Sequence, residues 1–339
     1  MLTSDQNRKI NEIVEEFKEA ADFYRMEYSE DLMGMFRDFG CMLLLKCKVD
    51  TEGKADLERL LEGRHKLKGT VKRQLMTVSE ELAQLWAPGE QDGSGDTGEY
   101  EGSQNVREMF QTALEEIFHF CLYSKGGKNR YLLPEETAKP LLRLLTFPEG
   151  MMAGNEGLVV LDTQCGAGSA LMAASRYLKN LRLMGYEKDE EMWAAAVIMS
   201  QLSGLEMELH LEDGARADLY ESCDLVISNP VYGTDTIKDE ELIDQLPGEL
   251  KTVRGRYHME LIRSMQALNF DGKAMLIVPN SFLFANRTES MKVRKWLLQS
   301  YSLEAIISLP EDTFMYSGVR SGVMVFSKPF MSGGWEGHN

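Results

Sequence analysis

The sequence predicts an α/β fold in which a mostly parallel sheet, covered on both faces by helices, follows a smaller helical domain. Three observations predict it. From about residue 131 short apolar runs alternate with helical patterns, the texture of buried parallel strands and the helices laid over them. The first of those runs ends in a glycine-rich turn that opens a helix. Residues 5 to about 86 show only helical spacing and are rich in Glu, Lys, Leu and Met.

In the N-terminal part, Ile10, Ile13, Val14, Phe17 and Ala21 fall on one stripe of a first helix. "TVSEELAQLW" predicts a further helix capped by Ser79. "PGEQDGSGDTGEYEGSQ", residues 88–104, has no Lys or Arg and too little apolar surface to offset its ordering entropy, so it predicts a mobile acidic loop. "VREMFQTALEEIFHFCLYS" resumes as an amphipathic helix with His119 as a core or boundary residue. These segments make a helical domain over 1–125, and residues 126–330 make the α/β domain. The polar residues 331–339 read as a flexible tail.

The α/β part opens with the helix "PEETAKPLLRLL", started by Pro134 with Glu135 and Glu136 in its first turn, where the helix dipole favours acids. "GLVVLD", "RLMGYEKD", "MELHLED", "CDLVISNP", "GKAMLIVPN", "LEAIISLP" and "SGVMVFSK" read as strands. Helical patterns stand in "SALMAASRYLKNL", "EEMWAAAVIMSQLSG", "HMELIRSMQALN" and "ESMKVRKWLLQS". The strand-rich tail predicts an antiparallel edge.

Composition narrows the function classes. The chain has 339 residues, 43% of them apolar, and no uncharged apolar run of about 18 residues that would span a membrane. The start "MLTSDQNRKINEIVEEF" has no secretory pattern, which predicts a cytoplasmic protein. Five scattered cysteines with no CxxC pair read as reduced packing residues and offer no metal site. A formal net charge of −17 argues against a chain that grips nucleic acid unaided.

Ligands of such sheets bind beyond the carboxyl ends of the strands, and four features fall there. In "LDTQCGAGSA", Asp162 ends a strand, and Gly166 and Gly168 let the backbone turn close to a ligand. Leu171 occupies the third glycine position of a dinucleotide fingerprint, so the turn suits an adenosyl ligand without a pyrophosphate. Glu187, 19 residues after Gly168, suits an acid accepting both ribose hydroxyls. Asp213 in "LEDGA" suits an acceptor for an adenine amino group, and equally a capped turn before Gly214. Asn229, Pro230 and Tyr232 end the fourth strand. An aromatic amine is a poor nucleophile because its lone pair is delocalised into the ring. The Asn229 amide oxygen and the Pro230 carbonyl can accept its two hydrogens together and favour a pyramidal nitrogen. Tyr232 can stack on the ring, a contact worth ~1 to 3 kcal/mol.

With these residues in this order, the chain resembles the class I S-adenosylmethionine-dependent N6-adenine DNA methyltransferases, specifically the modification subunit of type I restriction-modification systems. The resemblance covers about residues 128–328. It rests on "YLLPEETAKPLLRLL", on Asp162, Cys165, Gly166 and Gly168 of the Asp-x-x-Cys-Gly-x-Gly pattern, on "GYEKDEEMWAAAVIMSQLSG", and on "AMLIVPNSFLF", "VRKWLLQSYSLEAIISLPEDTF" and "SGVRSGVMVF". Val231 stands where members usually carry a second proline, and Leu133 where they usually carry threonine.

The resemblance implies a Rossmann-like seven-stranded class I methyltransferase domain and S-adenosyl-L-methionine as cofactor, held by Tyr131, Pro134, Asp162, Cys165, Gly166, Gly168, Glu187, Asp213 and Asn229. Asn229, Pro230 and Tyr232 would carry the chemistry. It also implies DNA as substrate, read by a separate specificity subunit, in a homodimer or hetero-oligomer. Lys251, Arg254 and Arg256, and Lys292, Arg294 and Lys295, are basic groups that could meet phosphates or form solvated helix faces. Two other readings use the same residues: a methyltransferase for a protein glutamine amide, and a scaffold subunit that has lost turnover.

Overall fold

The computed structural model describes residues 2–49, 59–60, 67, 69–86, 100–124, 132–145, 147, 157–220, 222–230, 232, 235–284, 286–311, 313–314 and 319–329. Most of the predicted loop 88–104, Tyr131, Val231 and the tail 331–339 lie outside the described residues. The chain divides into two compact units, one of Met1–Arg130 with Ala194–Leu205, the other of Tyr131–Trp193 with Glu206–Asn339.

The first unit is helical: α1 (Ser4–Glu27), α2 (Met33–Lys46), α3 (Gly69–Ala83) and α4 (Tyr100–Leu122). Thr3 caps α1 through a reciprocal pair with Gln6, which satisfies two of the orphan amides at the helix start. The predicted stripe is buried, extended by Ala20 and Tyr24. Ser79 does not cap a helix. It lies inside α3, buried, and its hydroxyl donates to the Met76 carbonyl, because Val71, Leu75, Val78 and Leu82 continue one apolar stripe through that point. His119 is exposed, contrary to expectation. The buried face of α4 runs through Met109, Phe110, Ala113, Leu114, Ile117, Phe118 and Cys121, which leaves position 119 on the outer side.

The second unit starts with α5 (Glu135–Leu144) and continues β1 (Leu158–Asp162), α6 (Ser169–Tyr177), β2 (Leu181–Glu187), α7 (Glu190–Ser203, which from Ala194 onward belongs to the first unit), β3 (Glu208–Leu211) and β4 (Cys223–Ser228). Then follow α8 (Glu240–Asp244), a 3-10 turn (Gly248–Thr252), α9 (Arg256–Gln266), β5 (Leu268–Pro279), α10 (Asn280–Phe284), α11 (Thr288–Ser300), β6 (Ser302–Ser308) and β7 (Ser321–Ser327). The seven strands form one sheet in the order β3-β2-β1-β4-β5-β7-β6. All neighbours are parallel except β7, which runs antiparallel to both β5 and β6.

The antiparallel strand is therefore not the edge. β7 reads Gly-Val-Met-Val-Phe and is buried along nearly its whole length, so it belongs between two neighbours. β6 carries Glu304 and leaves Leu303 and Ile306 exposed, and it takes the rim. The core of this unit joins Leu161, Val226, Leu276 and Val278 of the strands to Met259, Ile262 and Met265 of α9 and to Val293 and Leu297 of α11. All five cysteines are buried thiols outside any disulfide. Among the described residues no helix is long and apolar enough to cross a membrane.

Candidate active site

Parallel strands β1 and β4 are neighbours, so the turns leaving their carboxyl ends emerge side by side. After β1 the chain turns through Gly166 (φ +56) and Gly168 (φ +80), both in the left-handed region that disfavours side chains. Gly168 is the N-cap of α6. The Cys165 amide donates to the Tyr186 carbonyl at 2.9 Å, tying this turn to β2. Burial holds the Cys165 thiol well above its ordinary range, so it serves as a packing group and not as a thiolate nucleophile.

Two acids brace the turn. Asp162 is 2% exposed, and its Oδ1 accepts the Gln164 amide at 3.0 Å. Burial pushes its carboxyl up to about 7; the Gln164 amide opposes the shift and the nearby Glu187 adds to it. Glu187, at the tip of β2, accepts the Gly166 amide on Oε2 at 3.0 Å and the Asp189 amide on Oε1 at 2.7 Å. Burial raises its pKa, and those two amides oppose the rise. The Lys188 amide opposes it too, and since a carboxylate has about four lone-pair sites, the group retains acceptor capacity for a further donor.

Asp213 follows β3 and does serve as a turn cap, Oδ1 accepting the Ala215 amide at 3.2 Å. Its other oxygen accepts from Arg256 Nη2 at 2.7 Å. Arg256 opens α9 and donates through Nε to Glu260 at 2.7 Å, so one guanidinium joins two carboxylates. Burial pushes the Glu260 carboxyl up to about 7 against the pull of Arg256. Close behind, Gly214 is forced by space: a Cβ there would sit 2.3 Å from the Thr163 carbonyl oxygen.

Asn229 is half-buried and Pro230 buried at the end of β4. Tyr232 is half-buried against the core, its hydroxyl 3.4 Å from Ser321 Oγ and its ring edge-on to Tyr257 at 5.6 Å. A chain of polar side chains joins this loop to the glycine turn. Ser228 Oγ lies 3.5 Å from Gln164 Oε1, Gln164 Nε2 donates to Thr163 Oγ1 at 2.6 Å, and Thr163 Oγ1 is 2.5 Å from Ser264 Oγ on α9. Sequence reasoning did not single out Gln164, Arg256 as an internal clamp, or Glu260.

Pro134 is the N-cap of α5. The preceding Leu133 is buried, and its amide donates to Ser169 Oγ at 3.2 Å, holding this segment to the residue after Gly168. The Tyr177 hydroxyl donates to Glu135 at 2.6 Å, a second tie between α5 and α6.

The other basic groups mostly serve the fold. Arg254 donates to the carbonyls of Lys251 and Val253, Lys251 pairs with Asp244, Lys292 reaches Thr252, Arg294 donates to the Phe282 carbonyl, and Lys295 pairs with Glu249. Among the described residues no group of three His, Cys, Asp or Glu could hold a metal ion.

The family model described as N-6 DNA Methylase matches residues 107–332, two thirds of the chain. The type I restriction enzyme MjaVII methylase subunit of Methanocaldococcus jannaschii is 24% identical over 298 residues, covering 80% of this chain and 47% of that protein. The type II restriction enzyme and methyltransferase RM.BcgI of Heyndrickxia coagulans is 27% identical over 191 residues, covering 51% of this chain and 28% of that one. The chain thus spans less than half the length of these curated relatives. Among solved structures, one from Listeria monocytogenes assigned to the class I S-adenosylmethionine-dependent methyltransferases superposes with a TM-score of 0.67 at 17% identity, over 97% of this chain and 90% of that one. A type I restriction-modification methyltransferase subunit from Streptococcus thermophilus superposes at 0.60 with 16% identity, over 95% and 86%. At these identities the structural likenesses speak for the fold: the seven-stranded class I methyltransferase sheet.

Proposed function

Because the chain belongs to the N-6 DNA Methylase family, we propose that it transfers a methyl group from S-adenosylmethionine to the N6 amino group of adenine in DNA, as a modification subunit working with a separate specificity subunit. One observation carries the reading. Asn229, Pro230 and Tyr232 leave β4 beside the glycine turn that leaves β1, and the Ser228–Gln164 contact joins the two. The same proposal divides the chain into a helical domain over 1–125 and a methyltransferase domain over 126–330.

The residues present fit the cofactor. The left-handed glycine turn leaves open backbone beside β1, a partly exposed Asp213 follows β3, and Glu187 retains acceptor capacity toward ribose hydroxyls. Tyr131, Pro134, Asp162, Cys165, Gly166, Gly168 and Asn229 complete its surroundings in this reading. The cofactor supplies an electrophilic methyl group. The Asn229 amide oxygen and the Pro230 carbonyl accept the two amine hydrogens of the target adenine and direct its lone pair outward, while Tyr232 stacks on the ring. Proximity and orientation then supply most of the rate, and no strong base is needed before attack. The target base is turned out of the duplex to reach this loop. The net charge of −17 supports delegation of DNA grip and readout to a partner.

The test is to incubate the purified chain, alone and with the products of neighbouring genes in its operon, with labelled cofactor and DNA, and to identify the modified atom. Label in N6-methyladenine is expected. Label confined to protein glutamine, or no transfer in either arm, overturns the proposal.

A further inference from the structure

Helix α9 carries a polar face buried against the loops of the site. Arg256, Glu260, Arg263 and Ser264 stand at i, i+4, i+7 and i+8. Arg263 donates to the carbonyls of Ala215 at 3.0 Å and Ala217 at 2.8 Å, which fixes the backbone of the segment after β3. Ser264 meets Thr163 at the end of β1. Glu289 of α11 accepts the amides of Arg254 and Gly255 at 2.8 and 3.1 Å and anchors the start of α9.

The loop backbones are therefore held without Arg256. What Arg256 holds is the Asp213 side chain, pinned between the Ala215 amide on one oxygen and the guanidinium on the other; Arg216 Nε stands 3.9 Å from that second oxygen and pairs with Asp239 instead. Asp213 and Arg256 are 19% and 22% exposed, so the pair borders a surface that a ligand can reach. Glu260, 5% exposed, takes the other edge of the guanidinium and keeps it from swinging away.

We propose that Arg256 is a positioning residue for the nucleoside end of the cofactor site: by clamping Asp213 in one orientation, it turns that carboxylate's acceptor lone pairs toward the ligand and so selects a 6-amino purine over a 6-oxo purine. The inference rests on the reading of Asp213 as the partner of the cofactor's adenine amino group. An ionised carboxylate offers only lone pairs, so an amino group satisfies it and a carbonyl oxygen leaves it facing another acceptor. Without the clamp the carboxylate turns toward solvent, and the selection is lost.

The experiment is calorimetric titration of the full chain with S-adenosylhomocysteine and with S-inosylhomocysteine, in which a carbonyl oxygen replaces the amino group. The parent protein is expected to prefer the adenosyl compound by about ten- to a hundred-fold, the span of one hydrogen bond to a charged group. Asp213→Asn and Arg256→Met are each expected to bring that preference close to unity, and the double variant to lose nothing more. If Asp213→Asn flattens the preference while Arg256→Met retains it, the clamp is overturned and the reading of Asp213 stands. If neither variant changes it, the reading of Asp213 falls and the inference falls with it. Should Arg256→Met not fold, Arg256→Lys, which keeps the charge but cannot span both carboxylates, carries the same comparison, and a preference retained there overturns the clamp.

Discussion

Replacing Asp162 by asparagine is expected to stabilise the protein at neutral and alkaline pH and to do little in acid. The carboxyl is 2% exposed and its pKa rises from 3.8 to about 7. A carboxyl whose pKa is raised by folding binds its proton more tightly in the native state than in the unfolded one. Its stabilising effect is complete below about pH 4, drains away as pH climbs toward 7, and is gone above that. Three units at 1.36 kcal/mol each set an upper size on the order of 4 kcal/mol for the charged form. Asparagine keeps the acceptor for the Gln164 amide and removes the ionisation, so the variant escapes the loss. Glu260 titrates in the same range but is common to both proteins and cancels in their difference. The assay is urea unfolding of both proteins at about pH 5 and about pH 8, followed by circular dichroism. The difference should widen in favour of the variant between the two. A difference that is flat, or that widens the other way, refutes the buried, proton-retaining carboxyl.

Three further outcomes are expected. Asn229→Ala should abolish methyl transfer while leaving cofactor affinity nearly unchanged in calorimetry, and a variant that transfers at the parent rate removes Asn229 from the chemistry. Glu187→Ala should weaken cofactor binding by roughly 1.5 to 3 kcal/mol for the lost charged hydrogen bonds. It should also lower the melting temperature, because the amides of Gly166 and Asp189 lose their acceptor; unchanged affinity would place the ribose elsewhere. Gly214→Ala should destabilise the fold by about 1 to 3 kcal/mol or more, since the new Cβ meets the Thr163 carbonyl oxygen at 2.3 Å and Tyr186 Cβ at 2.9 Å, and a melting temperature equal to the parent's would contradict that packing.

The sheet was legible because each parallel strand is a short apolar run with a turn at its carboxyl end, and those ends hold the residues to which we assign the chemistry. Asp162, Glu187, Asp213 and Asn229 could be placed at strand tips from spacing alone. The position of β7 was less legible, since chain order says nothing about which neighbour a hairpin strand takes. Its unbroken apolar run was the available clue, set against Glu304 in β6. Arg256 was misleading because "KTVRGRY" looks like a basic patch, and a guanidinium advertises nothing about whether it faces phosphate or carboxylate. A signal did exist along the helix that Arg256 opens. Tyr257, Met259, Leu261, Ile262 and Met265 bury most of the circumference of α9, and polar residues on such a helix are themselves internal. Ser79 failed for the opposite reason: a good capping residue was read locally, while the apolar stripe on both sides of it ran on.

The insertion of β7 between β5 and β6 has a consequence for biosynthesis. Among the described strands, β6 hydrogen-bonds to β7 alone, and the rim face of β5 is also covered by β7. During translation residues 302–308 therefore leave the ribosome with no strand to join, and β5 presents a bare apolar ladder until residue 327 has emerged. The sheet is sealed by its last strand, so a message cut short before that point yields a sticky product fit for chaperones or proteases.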